Sequence, residues 1–220
     1  MIYIVKHKEY NNPVPKGYRE IGVGDLFVCK PKGEDIDHLN PHINEVTAYF
    51  DLWKNTKDKF IGVCHYRRFF AENGHPISTH RVNAILNDYE MIVAPKYKYT
   101  NSLYRALRAE LAPGLEIELY NKYLAKIYMR EPKFHEYMMR NNEFYPREMM
   151  ITKRETFDKF CEELFATIKP IAEEYREEYM NDAEVAKKNP RIIGFITERF
   201  FSYLIVKNCY KVYEMEILDI

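Results

Sequence analysis

The chain has 220 residues, enough for one α/β domain with a full core or for two small ones. It is 46% hydrophobic and 30% charged, a globular composition that excludes a largely disordered chain. Its 33 basic residues balance 33 acidic ones, so no general field draws it to nucleic acid or to an anionic membrane, and any positive patch must be local.

"MIYIVKH" reads as a continuous apolar strand that stops at Lys6, His7 and Lys8. The run is too short and too soon charged for a signal peptide, and no later run approaches a membrane span, so the expected location is cytoplasmic. The loop "NNPVPKGY" and a short "EIGVG" follow. In "DHLNPHINEVTAYFDLWKN" Asn40 caps a helix, Pro41 takes its first position, Val46, Tyr49, Phe50 and Trp53 recur at helical spacing, and Asn55 closes it. "KFIGVCHY" predicts the second main strand. "HRVNAILNDY" predicts a short helix with Val82, Ile85 and Leu86 inward, and "EMIVAP" a third strand stopped by Pro95. This alternation is the βαβ pattern of a parallel sheet, whose ligands bind at the carboxyl ends of the strands.

From Thr100 to Arg140 the pattern is helical, with a stripe of Leu119, Tyr120, Tyr123, Leu124, Ile127 and Tyr128 that reads as core. Much of the chain's abundant tyrosine fits helix faces with the ring buried and the hydroxyl wet. "EMMIT" is a short strand. After it, Thr152 and Glu155 form a capping box for a helix bearing Phe157, Phe160, Cys161, Leu164, Phe165 and Ile168, which Pro170 should kink or end. "EEYREEYMNDAEVAKKN" reads as a solvated helix end and loop, "RIIGFITERFFSYLI" as a buried helix, and "KVYEMEI" as a terminal strand. No repeat or linker divides the chain. Cys29, Cys64, Cys161 and Cys209 make no CxxC pair; Cys64 and Cys161 read as small buried hydrophobes in a reducing compartment.

Two cationic clusters end strands: Lys6-His7-Lys8, and His65 with Arg67 and Arg68. In an extended strand His65 and Arg67 share one side, Tyr66 and Arg68 the other. Arginine forks and a histidine donor suit phosphate, so two such clusters at one sheet edge predict an anion site. The alternative is that the arginines pair with surface acids such as Asp51 or Glu72. Cys64 is not a phosphatase nucleophile, because the Arg six residues on that would close the cradle is Phe70. There is no HExxH, G-x-G-x-x-G or P-loop, which argues against a zinc hydrolase, a dinucleotide oxidoreductase and a P-loop kinase. Asp35, Asp37 and His38 are metal-ligand candidates, but the short D-x-D precedes a helix, where capping accounts for it. Glu198-Arg199 inside an apolar helix is either a buried ion pair that fixes the helix, or a proton acceptor beside a ligand-holding cation.

"IYIVKHK", "NEVTAYFDLWKN", "FIGVCHYRRFF", "MMITKRETFDKFCEELF" and "RIIGFITERFFSYLI", in that order, resemble the glycosyltransferase-like domains of bacterial capsule and exopolysaccharide clusters, related to domains of large algal viruses and long catalogued as a domain of unknown function. The resemblance covers nearly the whole chain. It implies a GT-A-like fold: an α/β domain with a central mixed, mostly parallel sheet flanked by helices. Residues 1–98 would form a nucleotide-binding half and 99–220 an acceptor-binding half with a helical insert. The implied reaction moves a sugar from a UDP-sugar to a hydroxyl of a glycan or glycolipid acceptor. A non-catalytic nucleotide- or glycan-binding module is the alternative.

By the same resemblance His7, Lys8, His65, Tyr66, Arg67 and Arg68 would hold the nucleotide sugar, while Asn44, Glu45, Trp53, Lys54 and Asn55 belong to the helix behind. Glu198 and Arg199 would face donor or acceptor, with Glu198 first and Glu148 second as candidate base. Glu148 stands where the family has Asn. The strand-end acids of ordinary GT-A enzymes are replaced here by His65 and Arg67. Cationic side chains could therefore do the work of a divalent manganese or magnesium ion, with Asp35, Asp37 or His38 as remaining ligands if a metal is used.

Overall fold

The computed structural model describes residues 1–9, 13–26 and 32–220; Cys29 and the Asn11-Asn12 part of the predicted loop lie outside them. The described elements are β1 (Ile2–Lys6), β2 (Tyr18–Gly22), a 3-10 turn (Asp37–Leu39), α1 (Asn40–Ile43), α2 (Val46–Asn55), β3 (Phe60–His65), β4 (Arg68–Glu72), β5 (His75–Pro76), α3 (Thr79–Asp88), β6 (Met91–Val93) and β7 (Tyr97–Lys98). They continue with α4 (Leu103–Glu110), α5 (Leu115–Arg130), α6 (Pro132–Arg140), β8 (Glu143–Phe144), β9 (Met150–Lys153), α7 (Arg154–Asn181), α8 (Ile192–Lys207), β10 (Val212–Glu214) and β11 (Ile217–Asp219).

The central sheet runs β10-β6-β9-β3-β1-β2. β1 is parallel to β2 and β3, β10 is parallel to β6, and β9 alone in that row is reversed, antiparallel to β3 and β6. The architecture is the expected α/β one, a mixed, mostly parallel sheet flanked by helices. Its central strands must bury both faces, which is why they read as unbroken apolar runs. On β1, Tyr3 and Val5 enter the larger core with α2, α7 and α8, while Ile2 and Ile4 enter the smaller one with α3. Cys64 and Cys161 are buried as expected.

Several local expectations fail for identifiable reasons. The loop expected over "NNPVPKGY" gives way at Tyr18 to β2, an edge strand whose short, half-polar sequence hides its pairing with β1. The helix expected from Asn40 to Asn55 breaks at Asn44, whose φ of 53° and ψ of −137° end α1 before α2 begins. Thr152 caps nothing: it sits in β9 and its hydroxyl donates to the Glu90 carbonyl at 2.7 Å. α7 runs through Pro170 to Asn181, because its apolar stripe from Phe157 to Tyr175 is buried on both sides of the proline. "KVYEMEI" splits into two strands that join different neighbours, β10 with β6 and β11 with β4. Among the described residues no helix is long and apolar enough to cross a membrane.

Packing therefore overrides the cost of a mid-helix proline, which deprives the helix of one hydrogen bond. Pro170→Ala is expected to raise unfolding free energy by about 1–3 kcal/mol in urea titrations; a decrease would mean that the ring's packing outweighs the missing bond.

Candidate functional site

β1 and β3 run parallel with Val5 opposite His65, so their carboxyl ends lie side by side. β3 ends at His65, Tyr66 and Arg67 form a tight turn, and Arg68 starts β4 directly opposite His65. The alternation expected of a continuing strand is thus replaced by a reversal. All four side chains line one cavity of about 340 Å³ at the strand ends, together with His7. Tyr66 is its hub. His7 packs edge-on against the Tyr66 ring at 5.2 Å, and Arg67 stacks over it at 5.1 Å.

The other wall comes from later in the chain. Arg191, Gly194, Phe195 and Glu198 line it from α8 and its N-terminal cap, at i, i+3, i+4 and i+7. Arg147 and Glu148 line it from the turn before β9, and Asn44 and Glu45 from the break between α1 and α2. Asn44 and Glu45 therefore face the cavity instead of packing behind it. Gly194 lets α8 approach that break: a Cβ there would stand 2.5 Å from Asn44 Nδ2 and 3.1 Å from the His42 carbonyl.

Two features set this cavity apart. Asn44, Arg147 and Glu148 all hold positive φ, at 53°, 74° and 50°, a conformation that non-glycine residues adopt at a cost and that clusters at functional sites. Asn44 Oδ1, His65 Nε2 and Glu148 Oε1 are buried polar atoms without a hydrogen-bond partner, and buried polar atoms are otherwise almost always paired. The strained turn is braced from both sides: Glu198 Oε1 accepts the Arg147 N–H at 2.7 Å, and the Tyr49 hydroxyl donates to the Glu148 carbonyl.

Arg199 stands behind the cavity, not in it. It is 2% exposed, donates through Nη1 to Glu198 Oε2 at 2.6 Å and through Nη2 to the Tyr99 hydroxyl at 2.8 Å, and lies 4.4 Å over the Phe144 ring. The Glu198-Arg199 motif is thus a buried ion pair that fixes α8, and Glu198 alone faces the cavity. Lys8 also lies outside the lining, its ammonium 5.8 Å from the centroid of the Tyr66 ring. Lys6 is neutralised by Glu20 at 3.0 Å.

The arginines do not pair with Asp51 or Glu72. Asp51 is buried in α2 and Glu72 pairs with Arg81. Arg68 instead meets Asp219 of β11 at 2.9 Å, and Arg147 reaches the same carboxylate at 3.9 Å. Arg67 and Arg191 form no ion pair with any described residue. Four guanidinium groups thus face Glu45, Glu148 and Glu198. Burial first, then the neighbouring Glu198 and Glu45, push the Glu148 carboxyl well above its ordinary value, against the pull of Arg199. Burial lowers the His65 imidazole, with Glu45 opposing and Arg68 adding to the shift. His7 is lowered by burial as well, again against Glu45.

The metal candidates are not brought to this cavity. Asp35 accepts the Asp37 N–H at 3.2 Å, and His38 pairs with Glu173 at 2.9 Å. Among the described residues no group of three His, Cys, Asp or Glu side chains could hold a metal ion. Asp35, Asp37 and His38 are therefore not gathered into one ligand set.

The raised Glu148 carboxyl has a signed consequence. Below its ordinary value near 4.5 it is neutral in both folded and unfolded chains. As pH rises past that value the unfolded chain loses its proton first, so stability falls until the folded-state value is passed, and then stays lower. Glu148→Gln should therefore match the wild type at about pH 4 and be more stable at about pH 8 in urea titrations. A gap that does not grow with pH would contradict the shift.

Comparison with known proteins places the fold. The apo structure of WbbM, a bifunctional glycosyltransferase, superposes with a TM-score of 0.76 at 20% sequence identity, over 100% of this chain and 45% of that one. The chain thus spans less than half the length of that neighbour. No match was found among curated proteins. The family model described as "Domain of unknown function (DUF4422)" matches residues 1–209, and with nearly its whole length inside that match the chain belongs to this family.

Proposed function

We propose that this chain is a glycosyltransferase that moves a sugar from a nucleotide-sugar donor, a UDP-sugar by the family resemblance, to a hydroxyl of a glycan or glycolipid acceptor during cytoplasmic polysaccharide synthesis. The observation that supports this most is the convergence of uncommitted arginines and unpartnered buried polar atoms at the carboxyl edge of the parallel strands. An anion fits such a cavity, and the fold it shares with WbbM fits a transferase. In this reading His7, His65, Tyr66, Arg67 and Arg68 from residues 1–98 meet the nucleotide diphosphate, and residues 99–220 supply the facing wall of Arg147, Glu148, Arg191 and Glu198.

When the acceptor oxygen attacks the anomeric carbon, the carbon–oxygen bond to the diphosphate breaks and negative charge builds on the departing phosphate. Arg67 and Arg191, which have no ionic partner among the described residues, take up that charge, and the N-terminal end of α8 adds its dipole. Side chains would thus do what a divalent metal does elsewhere. Glu148 is the base for an inverting transfer once ionised: its Oε1 is buried in the cavity without a hydrogen-bond partner and is free to accept the hydroxyl proton. Glu198 has both oxygens engaged by Arg147 and Arg199, so it positions the turn that carries Glu148.

A thermal-shift panel of UDP, GDP, CMP and dTDP, each with and without manganese, tests the donor class. UDP alone should stabilise the protein, with little response to manganese. Arg67→Ala and Arg191→Ala should each weaken UDP binding about 10- to 100-fold, the worth of one charge-assisted hydrogen bond, and lower turnover of a UDP-sugar about a hundredfold or more. Failure of all four nucleotides to bind, or normal turnover in a folded Arg67→Ala variant, would overturn this function; tight UDP binding without turnover would leave a binding module.

A further inference from the structure

Next to the basic cavity lies a second one of about 350 Å³, lined by Pro95, Tyr97, Pro146, Arg147, Glu216 and Asp219 among others. It opens on the same edge of the sheet. β6 points the same way as β1 and β3, because both β3 and β6 run antiparallel to β9, and its carboxyl end leads directly into Pro95 and Tyr97. β10 is parallel to β6 and leads to Glu216. Arg147 lines both cavities, and the Asp219 carboxylate bridges it to Arg68. One arginine and one ion group are the partition between the two.

The chemistry of the two cavities differs. The first is dominated by guanidinium groups, whereas the second balances Arg147 and Lys96 against Glu216 and Asp219, and Lys96 is already held by Glu143 at 2.6 Å. Glu216 has no ion pair or side-chain hydrogen bond among the described residues. Tyr97 is 54% exposed and is the one aromatic among the exposed large hydrophobic side chains described. It is exposed but not loose: its ring packs T-shaped with Tyr99 and Phe144, at centroid distances of 4.9 and 6.3 Å. A fixed, wet aromatic face beside two rigid prolines and a free carboxylate suits a ligand with one apolar C–H face and a rim of hydroxyls. A pyranose ring is such a ligand, and the volume falls in the range of small-molecule sites. A pre-ordered platform also spares the entropy of fixing a side chain on binding.

We infer that this second cavity, with Tyr97 as stacking platform and Glu216 and Asp219 as hydroxyl acceptors, binds a neutral hexopyranose at the end of the acceptor glycan. The assignment rests on the transferase reading, because a two-substrate reaction requires a neutral site beside the anion cavity. From it the acceptor hydroxyl would cross the Arg147 partition toward Glu148, which adjoins Arg147 in the chain.

Saturation-transfer NMR with methyl glucoside, methyl galactoside and methyl mannoside at millimolar concentration tests this without any turnover. At least one sugar should receive saturation on its ring protons. The signal should fall about five- to tenfold in Tyr97→Ala, be retained in Tyr97→Phe, and fall in Glu216→Ala, a second exposed position where a folding defect is not expected. UDP affinity, measured in parallel by calorimetry, should not change in any of these variants. Absence of signal from all three sugars, or a signal indifferent to Tyr97→Ala, would overturn the inference. So would an equal loss of UDP affinity, which would assign the pocket to the nucleotide. Because UDP binding is read separately, its failure in the wild type would count against the transferase reading, while the sugar signal at Tyr97 would still be decided by itself.

Discussion

The parallel register of β1 against β3, with Val5 opposite His65, is the constraint on which the site depends. It sets His7 beside Tyr66 and so brings two cationic strand ends to one point. Shifting it by one residue would turn every side chain of β1 to the wrong core, so the burial of Tyr3 and Val5 on one face and of Ile2 and Ile4 on the other locks it. The core therefore fixes the register on which the site geometry depends.

Gathering like charges at one edge is unfavourable, and the structure offsets it unevenly. Lys6 is neutralised by Glu20, and Arg68 and Arg147 share Asp219, while Arg67 and Arg191 have no ionic partner among the described residues. The same economy holds for polar atoms. Glu198 is fully engaged by Arg147 and Arg199, yet Glu148 beside it keeps a free buried oxygen and Asn44 and His65 keep one free atom each. Asn44, His65 and Glu148 thus each present an unpaired buried atom among the residues lining the cavity. That arrangement is what a ligand-ready site needs, because the unpaired atoms cost stability until something binds.

The strained backbone follows the same logic. Three consecutive links, Arg199 to Glu198, Glu198 to the Arg147 N–H, and Tyr49 to the Glu148 carbonyl, hold a left-handed turn that no glycine eases. Removing a partner from the nearly fully buried Arg199 would strand a charge in the core, so the ion pair is held by what its loss would cost. The buried Glu148 carboxyl thereby gains a fixed position from the groups that brace its turn.

The sequence by itself determined the α/β class, the main strands and the strand-end cations, because unbroken apolar runs that stop in charge are local signals of buried strands and their exposed tips. It also singled out His7, His65, Tyr66, Arg67, Arg68 and Glu198, and by family resemblance Glu148, all of which line one cavity, whereas Lys8 and Arg199, singled out with them, do not. Arg191 was legible in principle, since it shares one helix face with Gly194, Phe195 and Glu198. Only the tertiary structure decided that the chain reverses at Tyr66-Arg67, that the Asn40–Asn55 helix breaks at Asn44, that Pro170 lies within a continuous helix, and that Arg199 faces inward to Glu198. Asp219 as partner of Arg68, 151 residues away, had no local trace at all. The physical reason is common to these cases: local periodicity reports which faces are apolar, whereas reversals, ion partners and strained turns are set by contacts between segments far apart in the chain, where burial outweighs propensity.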